Sequence, residues 1–295
     1  MRILLTGGTG FIGTALCAQL RQAGHRLTVW TRRPHEAARV LPGVHLIRDL
    51  AEASDIDAVV NLAGEPLVGR RWNARRKQQF RDSRIGLTAQ LMRWMATQLN
   101  RPHVLVSGSA VGYYGPHGDT PLDESAPAGD DFGARLCRDW EHAAMEAETL
   151  GLRVCRVRTG VVLHRDGGAL AQMLPLFRSG LGGPIGDGEQ WLSWIHREDL
   201  VGLIRWLLEH EDTGGAYNAT SPHPVPQREF ARTLGRVLHR PAILPTPAFA
   251  LRLMFGEGAQ PLLTGQRVLP VHAMAEGFSL RHPHLHGALE DAVSR

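Results

Sequence analysis

"TGGTGFIG", residues 6–13, decides the fold. It follows the apolar run "RILLT" (2–6) and opens "FIGTALCAQLRQAG" (11–24), where Phe11, Ile12, Leu16 and Leu20 recur at helical spacing and Gly24 supplies the stop. Gly7, Gly10 and Gly13 thus stand between a buried strand and the start of a helix. Glycine suits that place because the chain turns sharply there, and because a Cβ would hold a pyrophosphate away from the free N–H groups at the helix N-terminus. Thr9, Phe11 and Ile12 complete the loop. An ordinary glycine turn needs neither the strand before nor the helix after, so the context predicts a dinucleotide-binding loop.

Further along the chain, "HRLTVWTR", "VHLIRD" and "IDAVVNLAG" read as strands two to four, "HVLVSGSA" as the fifth and "LRVCRVRTGVVL" as the sixth. Helices are expected over 73–99, with Phe80, Leu87, Leu91 and Trp94 inward, and over 131–150. Strand, helix, strand at this spacing predicts an α/β Rossmann-type doubly wound parallel sheet over residues 1–165. Residues 166–295 are richer in glycine and proline ("RSGLGGPIGDGEQW", "PHPVPQ", "RPAILPTPAF") and predict a smaller lobe over the cleft. This lobe is partly interleaved with the first, because "GGAYNAT" can return a strand to the main sheet.

An apolar content of 43% over 295 residues is enough for a substantial core and excludes a disordered chain. No run of 18 uncharged apolar residues occurs, and the start "MRILLTGG" is too short and glycine-rich for a signal-peptide core, so a cytoplasmic protein without a membrane partner is expected. Cys17, Cys137 and Cys155 are isolated and lack metal-site spacing. The net charge of +4 comes from arginines interspersed with acidic residues, which argues against nucleic acid and suits a phosphate-bearing small ligand.

The end of strand two discriminates between nicotinamide cofactors, since an acidic residue there binds a free ribose hydroxyl and a cation accepts a 2′-phosphate. This chain has "WTRRP", so Arg32 and Arg33 favour NADP over NAD, the alternative being a solvated turn. Asp49, after strand three, is placed to approach the adenine, and Leu62, Ala63 and Gly64 of "NLAG" to pass the cofactor ribose.

Taken together, "TGGTGFIG", "NLAGEPL", the Trp72, Lys77 and "SR" of "WNARRKQQFRDSR", "SAVGYYG", "DFGARLCRDWE", "GLGGPIGDGEQWLSWIHREDL" and "GQRVLPVHAMAEGF" resemble the extended short-chain dehydrogenase/reductase superfamily. Within it they are most similar to an epimerase-like group, of NAD-dependent epimerase/dehydratase type, with a C-terminal domain of unknown function. The similarity spans essentially the whole chain. It implies a nicotinamide cofactor and an oxidoreductase or epimerase acting on a small polar, sugar-like or nucleotide-linked substrate. It also implies a serine after strand five and a Tyr-x-x-x-Lys pair on the next helix, the tyrosine as acid/base and the lysine lowering its pKa.

Ser109 meets the first requirement, but Phe132 and Leu136 stand where the tyrosine and lysine belong. Tyr113 and Tyr114 are the phenols near Ser109, with packing as the alternative to an acid/base role. Lys77 is the one lysine among 33 basic side chains. On a single helix, Lys77, Arg81, Arg84 and Thr88 would form a stripe, either solvated or facing the cofactor cleft. Lysine matters here because its ammonium can release a proton when desolvated and a guanidinium cannot.

In the second lobe, Gln190, Trp191 and Trp194 can line a substrate pocket or pack the lobe on the sheet. His196 reads as a structural strand-to-helix junction. His282, His284 and His286 would share a face on an extended segment, yet no carboxylate or cysteine pattern accompanies them, and no metal is expected. Two functions remain: a hydride-transferring enzyme with a rearranged proton donor, or a catalytically silent NADP(H)-binding regulator.

Overall fold

Alternation of apolar side chains builds the central sheet. In the first strand, β1 (Arg2–Thr6), Ile3 and Leu5 face one way and Leu4 the other, and all three are fully buried. At about 1.5–3 kcal/mol for each fully buried aliphatic side chain, such two-sided burial fixes these strands as interior ones. The structure is a computed structural model that describes residues 1–294.

In chain order β1 is followed by β2 (Arg26–Trp30), β3 (His45–Ile47), β4 (Ala58–Asn61) and β5 (Val104–Ala110). Next come the two-residue β6 (Pro121–Leu122), then β7 (Arg153–Thr159), the short β8 (Val161–Leu163), β9 (Trp191–Leu192) and β10 (Trp194–His196), and then β11 (Gly215–Ala219). Seven of these form one parallel sheet in the order β11-β7-β5-β4-β1-β2-β3. Helices α1 (Phe11–Gln22) and Arg197–Glu209 cover one face through Leu16, Leu20, Ile204 and Leu208. The other face receives Leu91 and Met95 of Leu87–Thr97 and Ala144 of Phe132–Met145. Strand order reverses between β1 and β4, and the crevice at their carboxyl ends is where such sheets bind ligands.

The expected strand over "LRVCRVRTGVVL" is two strands. β7 stays in the main sheet, whereas β8 leaves it to pair with β10. Gly160 makes the break, because a Cβ there would lie 2.6 Å from the Ser193 carbonyl oxygen. The helix expected over 73–99 is likewise divided, into Ala74–Arg81, a π-helical turn at Asp82–Gly86, and Leu87–Thr97. Helix Pro34–Val40, opened by a proline in its first turn, has too few apolar positions to show in the periodicity. "GGAYNAT" does supply β11, which adds to the sheet edge beside β7. The remainder of the second half packs around Leu170, Phe177, Trp194, Phe230 and Leu289. Among the described residues no helix is long and apolar enough to cross a membrane.

A buried polar network joins these parts. Arg158 on β7 and Glu141 on helix Phe132–Met145 are each 3% exposed and meet through two hydrogen bonds, Nε to Oε1 at 2.8 Å and Nη2 to Oε2 at 3.0 Å. Arg158 Nη1 also donates to the Tyr114 hydroxyl, which donates in turn to Asn218 Oδ1 on β11 at 2.6 Å. Removing one member of a buried pair strands the other charge. Arg158→Met is expected to lower the free energy of unfolding by about 3–5 kcal/mol, with Arg158→Met/Glu141→Leu recovering part of the loss. Chemical denaturation of the three proteins checks this.

Candidate functional site

The glycine loop has the geometry of an anion cradle. Gly7 has φ +71° and passes so close to the backbone of Leu62 and Ala63 that a Cβ would sit 2.8 Å from the Leu62 carbonyl. At Gly13 the same atom would lie 2.2 Å from the Gly7 oxygen. Helix α1 begins at Phe11 after Gly10, and no side chain caps its free N–H groups, so they point outward for a ligand oxygen to accept. Thr9, Phe11 and Ile12 are present in this turn, and Gly167 packs on the Phe11 ring. The adjoining "NLAG" segment is held by Thr6, whose hydroxyl donates to Asn61 Oδ1 at 2.7 Å and accepts the Ala63 amide at 3.2 Å. The free N–H groups and the close glycine backbone fit the anionic part of a dinucleotide.

Arg32 and Arg33 lie just past the carboxyl end of β2, mostly exposed, each beside one acidic side chain: Arg32 at 3.8 Å from Glu65, Arg33 at 3.1 Å from Glu36. Both guanidiniums can accept a 2′-phosphate. Asp49 caps the short turn Leu50–Glu52, its carboxylate accepting the Ala51 amide, which commits the side chain locally after β3.

The four residues singled out for proton transfer separate sharply. Ser109 is 5% exposed and its hydroxyl donates to Glu141 Oε1 at 2.7 Å, so it points into the buried network. Tyr114 is fully enclosed, its hydroxyl held by Arg158 and Asn218, and burial pushes its pKa up to about 12. Neither side chain is free to polarise a substrate oxygen. Tyr113 is half-buried, with the Arg158 guanidinium 3.6 Å from its ring centroid. Lys77 is the most informative: its ammonium lies 4.9 Å from the centre of the Phe132 ring, the side chain at the tyrosine position, and 2.5 Å from Glu257 of the second lobe. Trp72 packs edgewise against the same ring, and Phe80 packs tilted beside it. Leu136, one turn on, is wholly buried.

The cationic stripe does not stay on a single solvated face. The π turn adds a residue to the helical repeat, and Thr88 becomes fully buried, its hydroxyl donating to the Arg84 carbonyl and accepting from Asn61 and Trp140. Arg81 reaches Asp139, and Arg84 turns toward Gly64. Thr88 thus packs between the sheet and helix Phe132–Met145, while Lys77 and Arg81 stay partly exposed.

In the second lobe, the pocket expectation is corrected for two of three residues. Trp194 is fully buried in the lobe core and donates to the His223 carbonyl. Gln190 spends its amide on the carbonyls of Ile185 and Leu262, which ties loop to loop. Trp191 is partly exposed, donates to Asp119 at 2.6 Å and lies under Arg267.

The three histidines near the C-terminus diverge: His284 stacks on His223, His286 pairs with Glu290, and His282 lies 4.1 Å, ring to ring, from His196. Helix Leu285–Ser294 begins inside that run and breaks the extended repeat. Ligating atoms of His196, Glu198 and His282 fall within 4.8 Å of one another. Nδ1 of His196, however, accepts the Glu198 amide as a helix cap, which leaves the proton on Nε2 opposite Asp291 at 3.4 Å and no lone pair for an ion.

Burial, with His282 adding to it, pushes the His196 pKa down to about 3. Unfolding releases the ring to an ordinary value of about 6.5. Stability from keeping it neutral is therefore complete above about pH 6.5 and declines as pH falls toward about 3. Denaturation midpoints between pH 7 and pH 4 should fall more steeply in the wild type than in His196→Gln, as pH-dependent thermal melts would show.

Comparison with known proteins agrees with this geometry. The model of the NAD dependent epimerase/dehydratase family matches residues 3–220, and a domain of unknown function (DUF1731) matches residues 246–292. The epimerase family protein SDR39U1 homolog, chloroplastic, of Arabidopsis thaliana is 42% identical over 299 residues, covering 98% of this chain and 86% of its own. A crystal structure of human epimerase family protein SDR39U1 (isoform 2) with NADPH superposes with a TM-score of 0.91 at 37% identity, covering 100% of both chains. UDP-glucuronic acid 4-epimerase from Bacillus cereus in complex with NAD gives 0.76 at 17% identity over 98% of this chain and 96% of its own, a likeness of fold alone.

Proposed function

Because the chain belongs to the NAD dependent epimerase/dehydratase family, we propose that it binds NADP(H) and acts as an epimerase-like oxidoreductase on a small polar substrate. The observation that carries this reading is the cradle at Gly7, Gly10 and Gly13 combined with Arg32 and Arg33 at the end of β2. The human relative solved with NADPH supports the same choice of cofactor. Bound there, a nicotinamide supplies or accepts hydride.

This chain's own residues hold the pyrophosphate at α1, orient the ribose against "NLAG" and accept the 2′-phosphate at Arg32 and Arg33. Ser109 and Tyr114 are committed to the buried network, so proton transfer falls to Lys77 or Tyr113. Lys77 has the better position, because its ammonium stands over Phe132, where the superfamily's tyrosine would begin the helix. Glu257 orients that ammonium and balances its positive charge. Cytoplasmic location and a substrate that is sugar-like or nucleotide-linked belong to this proposal.

A second reading has a specific observation behind it. Phe132 and the fully buried Leu136 replace the usual pair by packing, which suits a protein that binds NADP(H) without turnover and reports its occupancy through the lobes.

Tryptophan fluorescence titration should show NADPH binding more tightly than NADH. Arg32→Ala/Arg33→Ala should weaken NADPH by about tenfold or more while leaving NADH little changed, and Gly13→Val should abolish both. An absence of NADPH binding by the wild type would overturn the proposal.

If Lys77 moves the proton, Lys77→Arg should fold and bind NADPH normally but lose about 10²-fold or more in substrate-dependent NADPH oxidation. No turnover by the wild type on a broad carbonyl panel, with NADPH binding intact, selects the silent binding protein.

A further inference from the structure

The solvent side of the second lobe carries a row of arginines that the cofactor reading does not use. In helix Gln227–Val237, Phe230, Ala231 and Leu234 turn into the lobe core, which leaves Arg228, Arg232 and Arg236 four residues apart along the exposed face. Like charges at this spacing repel, so the row is unfavourable until an anion balances it. The helix has one acidic residue, Glu229, against these three cations. Arg228 pairs with Glu189 of the preceding loop, whereas neither Arg232 nor Arg236 has a carboxylate at ion-pair distance among the described residues.

Neighbouring segments turn this row into one wall of an open cavity. Gly235 lets the chain after the helix fold back on it, since a Cβ there would lie 2.7 Å from the Ala242 Cβ and 2.8 Å from the Arg240 carbonyl oxygen. Arg240 Nε donates at 3.0 Å to the carbonyl of Arg178, the last residue of helix Gly168–Arg178. The cavity, about 600 Å³, is lined by Arg228, Arg232, Arg236, His239 and Arg240 and by no acidic side chain. Ile243 stands at its edge and is 75% exposed. The Leu244 amide donates to the Gly182 carbonyl at 3.3 Å, which brings Leu181, 56% exposed, alongside. Leu176 and Leu244 are half-exposed in the same two segments, and the chain runs on into helix Ala248–Phe255, where Phe249 and Leu253 are exposed one turn apart.

Large apolar side chains left in water beside a run of cations mark a surface that meets something both apolar and anionic. A soluble anion has no use for the leucines and the isoleucine, and an apolar protein face has none for the arginines. A bilayer with anionic phospholipids serves both, offering phosphates to guanidiniums and an acyl boundary to the apolar tips. We propose that this face of the second lobe docks the protein on an anionic membrane surface. Arg232, Arg236 and Arg240 meet the headgroup phosphates, and Leu181 and Ile243 enter the headgroup layer. The expectation of no membrane partner came from the lack of an apolar run long enough to span, and docking requires none. Among the described residues no helix is long and apolar enough to cross, so the contact stays on one leaflet. The proposal goes beyond the NADP(H) reading and uses none of the residues assigned to the cofactor.

Co-sedimentation of the full chain with vesicles tests this. Vesicles of equal parts phosphatidylcholine and phosphatidylglycerol should carry the protein down, vesicles of phosphatidylcholine alone should not, and high salt should release it. Arg232→Glu/Arg236→Glu should weaken binding about tenfold or more. Arg39→Glu/Arg93→Glu makes the same change in net charge at exposed positions of the first domain and should leave binding near the wild-type value. Leu181→Ser/Ile243→Ser, which alters no charge, should weaken binding about tenfold. All these side chains are exposed, and Arg232→Gln/Arg236→Gln replaces the reversed pair should that variant not fold. No binding to the anionic vesicles overturns the proposal. So does an equal loss in both charge-reversed variants, which would reduce the effect to overall charge, and so does binding that ignores the Leu181/Ile243 change, which would assign the arginines to a soluble polyanion. A dimer in analytical ultracentrifugation that Leu181→Ser/Ile243→Ser dissociates would give the face to a second copy of the chain and overturn it as well.

Discussion

A guanidinium and a carboxylate buried together at 3% exposure each, Arg158 and Glu141, hold the molecule's halves in register. Their two hydrogen bonds fasten β7 to the helix that covers it. Ser109 and Tyr114 extend the contact to β5 and to the turn after it, and Asn218 carries it to β11 and the second lobe. Such a pair is tolerated in a core only when all its donors and acceptors find partners, and here the tyrosine, the asparagine and the Glu124 carbonyl complete the set. The consequence is that the hydroxyls of Ser109 and Tyr114 are both engaged within this network. The place where a related enzyme would keep its serine hydroxyl free is occupied by a rigid joint.

In the proposed function, proton chemistry passes from β5 to the opposite wall of the cleft. That wall is the run from Asn73 to Thr97, bent by its π turn. Without the turn, Lys77, Arg81, Arg84 and Thr88 would continue along one helix face. With it, Thr88 sinks beneath Trp140 and Asn61, Arg84 reaches Gly64, and Lys77 rises over Phe132. The aromatic cluster of Trp72, Phe80 and Phe132 gives that ammonium an apolar wall with a π face, and Glu257 brings the second lobe to it. The lysine that opens no helix of its own thus occupies the region vacated by the superfamily's Tyr-x-x-x-Lys pair.

How much was legible beforehand varied with the range of the interaction. Local periodicity placed β1 to β5 and helix α1, because each needs only the apolar spacing of its own residues. Gly7, Gly10 and Gly13 were readable for the same reason: backbone turning and close approach are requirements on single positions. The fate of Ser109 was not readable, since Glu141 lies 32 residues away and nothing in either stretch signals that they meet. The division of "LRVCRVRTGVVL" was hidden similarly, the Ser193 carbonyl that crowds Gly160 being distant in sequence. Gln190 and Trp194 carry pocket-like chemistry in the sequence and packing roles in the fold, and only burial separates the two.

By itself, then, the sequence determined the doubly wound sheet, the dinucleotide cradle, the pair of arginines after β2 and the absence of the usual tyrosine and lysine from the helix that begins at Phe132. These follow from residue type at one position or from a repeat a few residues long. Tertiary structure alone decided which polar groups remain available for chemistry. Hydrogen bonds across 32 and 104 residues withdrew Ser109 and Tyr114, while a π turn carried Thr88 into the core and set Arg84 against Gly64. A side chain's type states what it can do, but its solvation and its partners, set by distant segments, state whether it is free to do it.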